Sequence, residues 1–82
     1  MRILVVEDEH ALCAQLVSAV AAAGHTVESA SDGAIAHYLG DLEDFDAVVL
    51  DLGLPTLDGL SVLRRWRAAG RTMPVLILTA RS

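Results

Sequence analysis

Cysteine and proline are scarce in this 82-residue chain, with one of the first and two of the second, and only three residues are aromatic. Cys13 has no partner for an internal disulfide, which fits a reducing cytoplasm. Basic residues are also few. Six Lys and Arg stand against eleven Asp and Glu, and the formal charge of −5 argues against unaided binding to nucleic-acid phosphates. No apolar run approaches the roughly 18–20 residues of a membrane span. Met1-Arg2 leads directly into a short apolar run ending at Glu7-Asp8-Glu9, without the long apolar region or cleavage site of a secretory signal. No repeat, linker or low-complexity tract interrupts the chain. What is abundant is hydrophobic, at 54% of residues with a mean hydropathy of +0.49. A chain this short forms one domain at most and buries only about 60–65% of its unfolded surface. Its hydrophobic content therefore exceeds its interior.

The organising stretch is Ala47-Val48-Val49-Leu50-Asp51, which opens into Leu52-Gly53-Leu54-Pro55. A short β-branched run bounded by turn residues suits a strand covered on both faces of a parallel sheet. Ile3-Leu4-Val5-Val6 is a second such run, ending in the acidic triplet. From His10 to about Ala23 the pattern turns helical, with Leu12, Leu16 and Val20 four apart and Gly24 as the stop. Thr26–Ala30 alternates weakly, like a strand nearer an edge. Ser31-Asp32-Gly33 offers an N-cap for a short second helix lined by Ile35 and Leu39 and ended by Gly40. Asp41 to Asp46 reads as a solvated connector with Phe45 tucked beneath it. Asp58-Gly59 starts a third helix with Gly59, Val62, Leu63 and Trp66 on one face and Arg64, Arg65 and Arg67 on the other. Gly70 ends it. Pro74–Thr79 reads as a fourth strand of the buried kind, with Pro74 where a missing N–H does little harm.

Alternating strands and helices predict an α/β fold with an open parallel sheet and right-handed crossovers. With strand two on one side of strand one and strand three on the other, the first helix covers one face and the other two helices the opposite face. The switch point then falls between strands one and three, whose carboxyl ends carry Glu7-Asp8 and Asp51. Carboxylates about 4 Å apart repel by roughly 4 kcal/mol at an effective dielectric near 20, so the cluster must hold a proton or a cation. Hard oxygen ligands suit Mg²⁺, which keeps several waters and favours phosphate partners. Thr79 would bring a hydroxyl to the same rim.

Taken together, Ile3 to Glu9, Val49 to Pro55 with Asp58-Gly59, and Pro74 to Ala80 resemble a response-regulator receiver domain, most of all the OmpR/PhoB winged-helix class. The resemblance covers residues 1–82 and implies the flavodoxin-like strand order 2-1-3-4. It implies that Asp51 accepts a phosphoryl group from a phosphohistidine on a sensor histidine kinase. Asp8, Asp51 and the Gly53 carbonyl would bind Mg²⁺, and Glu7 would assist through water. Thr79 would act as the switch hydroxyl, and Leu52 and Ala80 would border the phosphoryl group. The resemblance implies a cytoplasmic phospho-acceptor, self-catalysing at most, whose parent controls transcription.

A complete receiver continues through a fourth helix, a fifth strand and a fifth helix, which carry a phosphoryl-pairing Lys and a switch aromatic. The expectation is a partial receiver domain in which no residue takes those roles and which does not itself bind nucleic acid. Its fourth strand becomes an open apolar edge with no Lys or bulge to block pairing. Self-association follows as an expectation, as a homodimer or by exchange of elements at strand four or helix three.

Plainer readings apply elsewhere. Glu9 and Asp58 read as helix-start carboxylates, Cys13 as a packed small hydrophobe, and the three Arg as a solvated face. His10, His25 and His37 lack metal spacing. Two competing functions remain: a non-catalytic interaction module, and an aspartyl-phosphate phosphatase of the haloacid-dehalogenase type. The latter wants a second Asp two residues after the first, where this chain has Gly53.

Overall fold

The two short β-branched runs form the centre of a parallel sheet. In the computed structural model, which describes residues 1–78, β1 (Arg2–Val6) lies between β2 (Thr26–Ala30) and β3 (Ala47–Asp51). The strand β4 (Val75–Leu78) completes the order β2-β1-β3-β4, the flavodoxin-like arrangement. The crossovers are α1 (His10–Ala22), α2 (Gly33–Leu42) and α3 (Gly59–Ala68). Side-chain caps start α2 and α3, and positive-φ glycines follow α1 and α3. Asp32 accepts the Ile35 N–H at 2.8 Å, and Asp58 accepts the Ser61 N–H at 3.0 Å. Gly24 and Gly70 take φ of +96° and +82° just beyond α1 and α3. Among the described residues, no helix is long and apolar enough to cross a membrane.

Residues in register across parallel strands share a face. Leu4 pairs with Val48 and Val48 with Val75, on the face packed by α2 and α3. The core lies there, with Val6, Leu50, Ala36, Phe45, Val62 and Trp66. The opposite face carries Val5, Val49 and Leu76 and is covered only by α1, which has no buried residue. Helix placement thus follows the expected pattern.

Two expectations need correction. The composition of β4 suggests a buried strand, but among the described residues no strand lies beyond it and α1 packs over β1 and β2, so it is the open apolar edge that was also expected. Leu76 is 64% exposed and Ile77 39%. Nor does Gly40 end α2, which runs on to Leu42. Gly40 is instead a contact point. A Cβ there would sit 2.3 Å from Cε2 and Nε1 of Trp66, whose ring N–H donates to the His37 carbonyl at 3.2 Å. Burying a tryptophan of roughly 200 Å² stabilises by about 5 kcal/mol, which outweighs the ~1 kcal/mol helix penalty of glycine.

The acidic connector is consequently shorter than expected and is anchored rather than merely solvated. Arg71 donates to the Gly40 and Glu43 carbonyls at 3.0 and 2.8 Å and to Asp44 at 2.9 Å. Arg2 pairs with Glu28 and Glu43 while its guanidinium stacks 4.7 Å from the centre of the Phe45 ring. Phe45 is buried, as its position under the connector implied.

Gly40→Ala separates two opposing effects. Propensity alone would stabilise α2 by about 1 kcal/mol. Overpacking against Trp66 should win, for a net loss on the order of 1–2 kcal/mol in urea unfolding followed by Trp66 fluorescence. A stabilised variant would contradict this packing.

Candidate functional site

The crossovers that follow β1 and β3, α1 and α3, go to opposite faces and leave a crevice beyond the carboxyl ends of those strands. The register aligns Val6 with Leu50, so the next residues, Glu7 and Asp51, emerge side by side. One carboxylate oxygen from each of Glu7, Asp8 and Asp51 lies within 4.8 Å of the others. Glu7 and Asp51 are each only 2% exposed, whereas Asp8 faces solvent. The three sequence-predicted carboxylates therefore converge. No other group of acid, His or Cys side chains among the described residues is gathered closely enough to hold a metal, and the three histidines stand apart.

Glu7 is held from both ends: its N–H donates to the Ala30 carbonyl at 3.1 Å, and its Oε2 accepts the Glu9 N–H at 3.0 Å. Burial pushes its pKa above the ordinary 4.5. The Glu9 N–H opposes that shift, and the neighbouring charges of Asp51 and Asp8 add to it. Asp51 receives less support. Its Oδ1 accepts a long hydrogen bond of 3.4 Å from the Gly53 N–H. Its buried Oδ2 has no hydrogen-bond partner among the described residues.

Within 4.8 Å, two ionised carboxylates repel by at least about 3.5 kcal/mol for an effective dielectric near 20. An orphaned buried oxygen amid uncompensated negative charge is the environment a divalent cation relieves. The donor set is all oxygen, which favours Mg²⁺ or Ca²⁺ over softer metals. The residues present thus fit a hard cation.

The loop from Leu52 to Asp58 shapes the rest of the rim. The Leu52 carbonyl accepts the N–H groups of Leu54 and Gly59 at 3.1 and 2.9 Å. Gly59 is required by proximity, since a Cβ there would lie 2.2 Å from the Asp51 carbonyl oxygen. Gly33, at the start of α2, meets the same loop, and its Cβ would fall 1.6 Å from the Leu57 carbonyl oxygen. In the sequence both glycines follow a capping Asp at a helix start, and Gly59 also falls on the apolar face of α3, but neither position signals the close approach. Thr56, which adopts φ +64°, carries no sequence signal. Gly53 is exposed with open space where a side chain would project. It offers no second carboxylate of the dehalogenase-type kind. Thr79 and Ala80 lie outside the described residues.

A flavodoxin-like parallel sheet with carboxylates gathered over its switch point and one strand-end Asp defines the receiver class of signalling modules. The profile of the family described as "Response regulator receiver domain" matches residues 3–82, and the chain belongs to that family. It is 46% identical over 81 residues to the transcriptional regulatory protein PhoP of Escherichia coli K12, covering 99% of this chain and 36% of that protein. Such relatives agree with the OmpR/PhoB-class likeness, and the chain spans little more than a third of their length. Among solved structures, it is similar to the receiver domain of the Pseudomonas aeruginosa sensor histidine kinase PA1611, solved with a magnesium ion in its active-site cleft. That match has TM-score 0.92 and 34% identity, covering 98% of this chain and 67% of that one. Response regulator TrrA of Thermotoga maritima, in complex with Mg²⁺ and BeF, gives TM-score 0.91 and 31% identity over 99% of this chain and 70% of that one.

The raised pKa of Glu7 sets a sign. The folded protein holds this proton more tightly than the unfolded chain. The group's contribution to stability is therefore full below pH 4.5 and is lost as pH rises through the raised value. In metal-free buffer, Glu7→Gln should gain stability over the parent progressively from pH 4 upward, read by urea unfolding. A difference independent of pH would contradict the crowding.

Proposed function

We propose that residues 1–82 work as one partial receiver domain of a PhoP-like response regulator, with Asp51 accepting a phosphoryl group from the phosphohistidine of a sensor histidine kinase. The supporting observation is the buried Oδ2 of Asp51, without a hydrogen-bond partner among the described residues, inside a three-carboxylate cluster. In the transfer, an Asp51 oxygen forms the new bond to phosphorus in line with the breaking phosphorus–nitrogen bond. The kinase imidazole leaves with the bonding pair and is reprotonated. Such a transfer asks the protein mainly for positioning and charge neutralisation.

Asp8, Asp51 and the Gly53 carbonyl would hold Mg²⁺, with Glu7 assisting through water. Bound there, the cation supplies neutralisation for the oxygens of the transferring group. The residues do the remainder. The Glu9 N–H fixes Glu7 at the wall of the cluster. By the receiver pattern, Leu52 would border the group, and Ala80 and Thr79, outside the described residues, would leave it room and bond one of its oxygens. The protein acts in the cytoplasm as a phospho-acceptor rather than on a separate substrate. Transcriptional control belongs to the whole regulator and not to this acidic segment.

Treatment with acetyl phosphate and Mg²⁺, followed by intact mass, should add one phosphoryl group, and Asp51→Asn should abolish the gain. No adduct on the parent chain would overturn the reading.

A second reading, a module that associates with itself without useful phosphorylation, is favoured by the exposed Leu76 and Ile77 on the unpaired β4 edge, with Leu60 exposed on α3. Pairing along that edge predicts a concentration-dependent dimer in sedimentation, which Leu76→Lys should weaken. A monomer at all concentrations would remove it.

A further inference from the structure

The N-terminus of α2 and the β3–α3 loop are fastened together at close range. The opening amides of α2 are all accounted for. Gly33 donates to the Pro55 carbonyl at 3.1 Å, Ala34 to Thr56 Oγ1 at 3.2 Å, and Ile35 to the capping Asp32 at 2.8 Å. Two of the three go to the loop rather than to the helix's own cap. Backbone also meets backbone here, since Gly33 leaves no room for a Cβ against Leu57. The joint has no slack.

Thr56 sits in this joint at φ +64°, the only non-glycine residue among those described with a positive φ. A β-branched side chain is disfavoured there, and such a conformation persists when its surroundings over-determine it. Glycine would adopt it freely, and what glycine lacks is the hydroxyl that accepts the Ala34 N–H. Thr56 lies three residues from Gly53 on the same short loop.

We propose that Thr56 is a positioning residue for the metal loop. Its hydroxyl ties the loop to α2 and thereby holds the Gly53 carbonyl in reach of the acid cluster. The proposal rests on the reading of Asp8, Asp51 and Gly53 as holders of Mg²⁺. It adds a determinant that touches neither the ion nor the phosphoryl group. It also means that α2 and the metal loop shift together.

Thr56→Gly separates positioning from stability, because it relieves the backbone while removing the acceptor. Three measurements on the full chain decide the matter: Mg²⁺ affinity by calorimetry, urea stability without metal, and exchange of the Ala34 amide without metal. Thr56→Gly should bind Mg²⁺ about three- to tenfold more weakly, as expected for one lost hydrogen bond. Its Ala34 amide should exchange faster, with the unfolding midpoint close to that of the parent. Thr56→Ser should restore both affinity and protection. Parent-like Mg²⁺ affinity in Thr56→Gly, or a Thr56→Ser variant as weak as Thr56→Gly, would overturn the proposal. Absence of Mg²⁺ binding by the parent chain would instead remove the reading of the site itself, and with it this role for Thr56. The metal-free exchange data would then report on the Thr56–Ala34 bond alone.

Discussion

The repulsion among Glu7, Asp8 and Asp51 is the constraint on which the rest of the structure turns. Two of these side chains are almost wholly withdrawn from water, and an oxygen of Asp51 has no hydrogen-bond partner among the described residues. Burial of charge is tolerated only when something compensates it. The Glu9 amide compensates part of the charge on Glu7, and the Gly53 amide only weakly supports Asp51. The remaining deficit is a standing affinity for positive charge, located at the end of a strand whose backbone cannot shift without disturbing the sheet.

The fold creates the deficit by ordinary means. Placing β1 between β2 and β3 sends the connections that follow β1 and β3 to opposite faces, which leaves the crevice uncovered. Two glycines then let neighbouring segments close upon it. Gly59 allows α3 to begin against the Asp51 carbonyl, and Gly33 allows α2 to begin against Leu57. The loop between β3 and α3 is thus held from two sides although it lies at the surface.

Much of this was legible in the residues. Ala47 to Asp51 and Ile3 to Val6 identify themselves as strands by β-branching and length, and the acids at or just past their ends mark the rim. Asp32 and Asp58 cap the helices where their positions said they would. What could not be read depended on neighbours distant in sequence. Gly40 resembles a helix stop until Trp66 is brought against it by the packing of α3. The run Val75–Leu78 has the composition of a buried strand, and only its place at the end of the strand order marks it as the apolar edge that was expected. Threonine carries no local signal for a left-handed backbone, so Thr56 was invisible before its loop met α2. The excess of hydrophobic residues noted at the outset lies on the surface, at Ile35, Tyr38 and Leu42 of α2, Leu60 of α3, and Leu76 and Ile77 of β4.

The convergence of the three acids on one ion is tested most directly by titrating the metal-free chain with Mn²⁺ and following its amide resonances. Saturable paramagnetic broadening should centre on Glu7, Asp8, Asp51 and Gly53, be reversed by excess Mg²⁺, and spare the exposed acids Asp44 and Asp46. Broadening spread evenly over the acidic surface, or centred on the connector instead, would contradict a built cation site at the ends of β1 and β3.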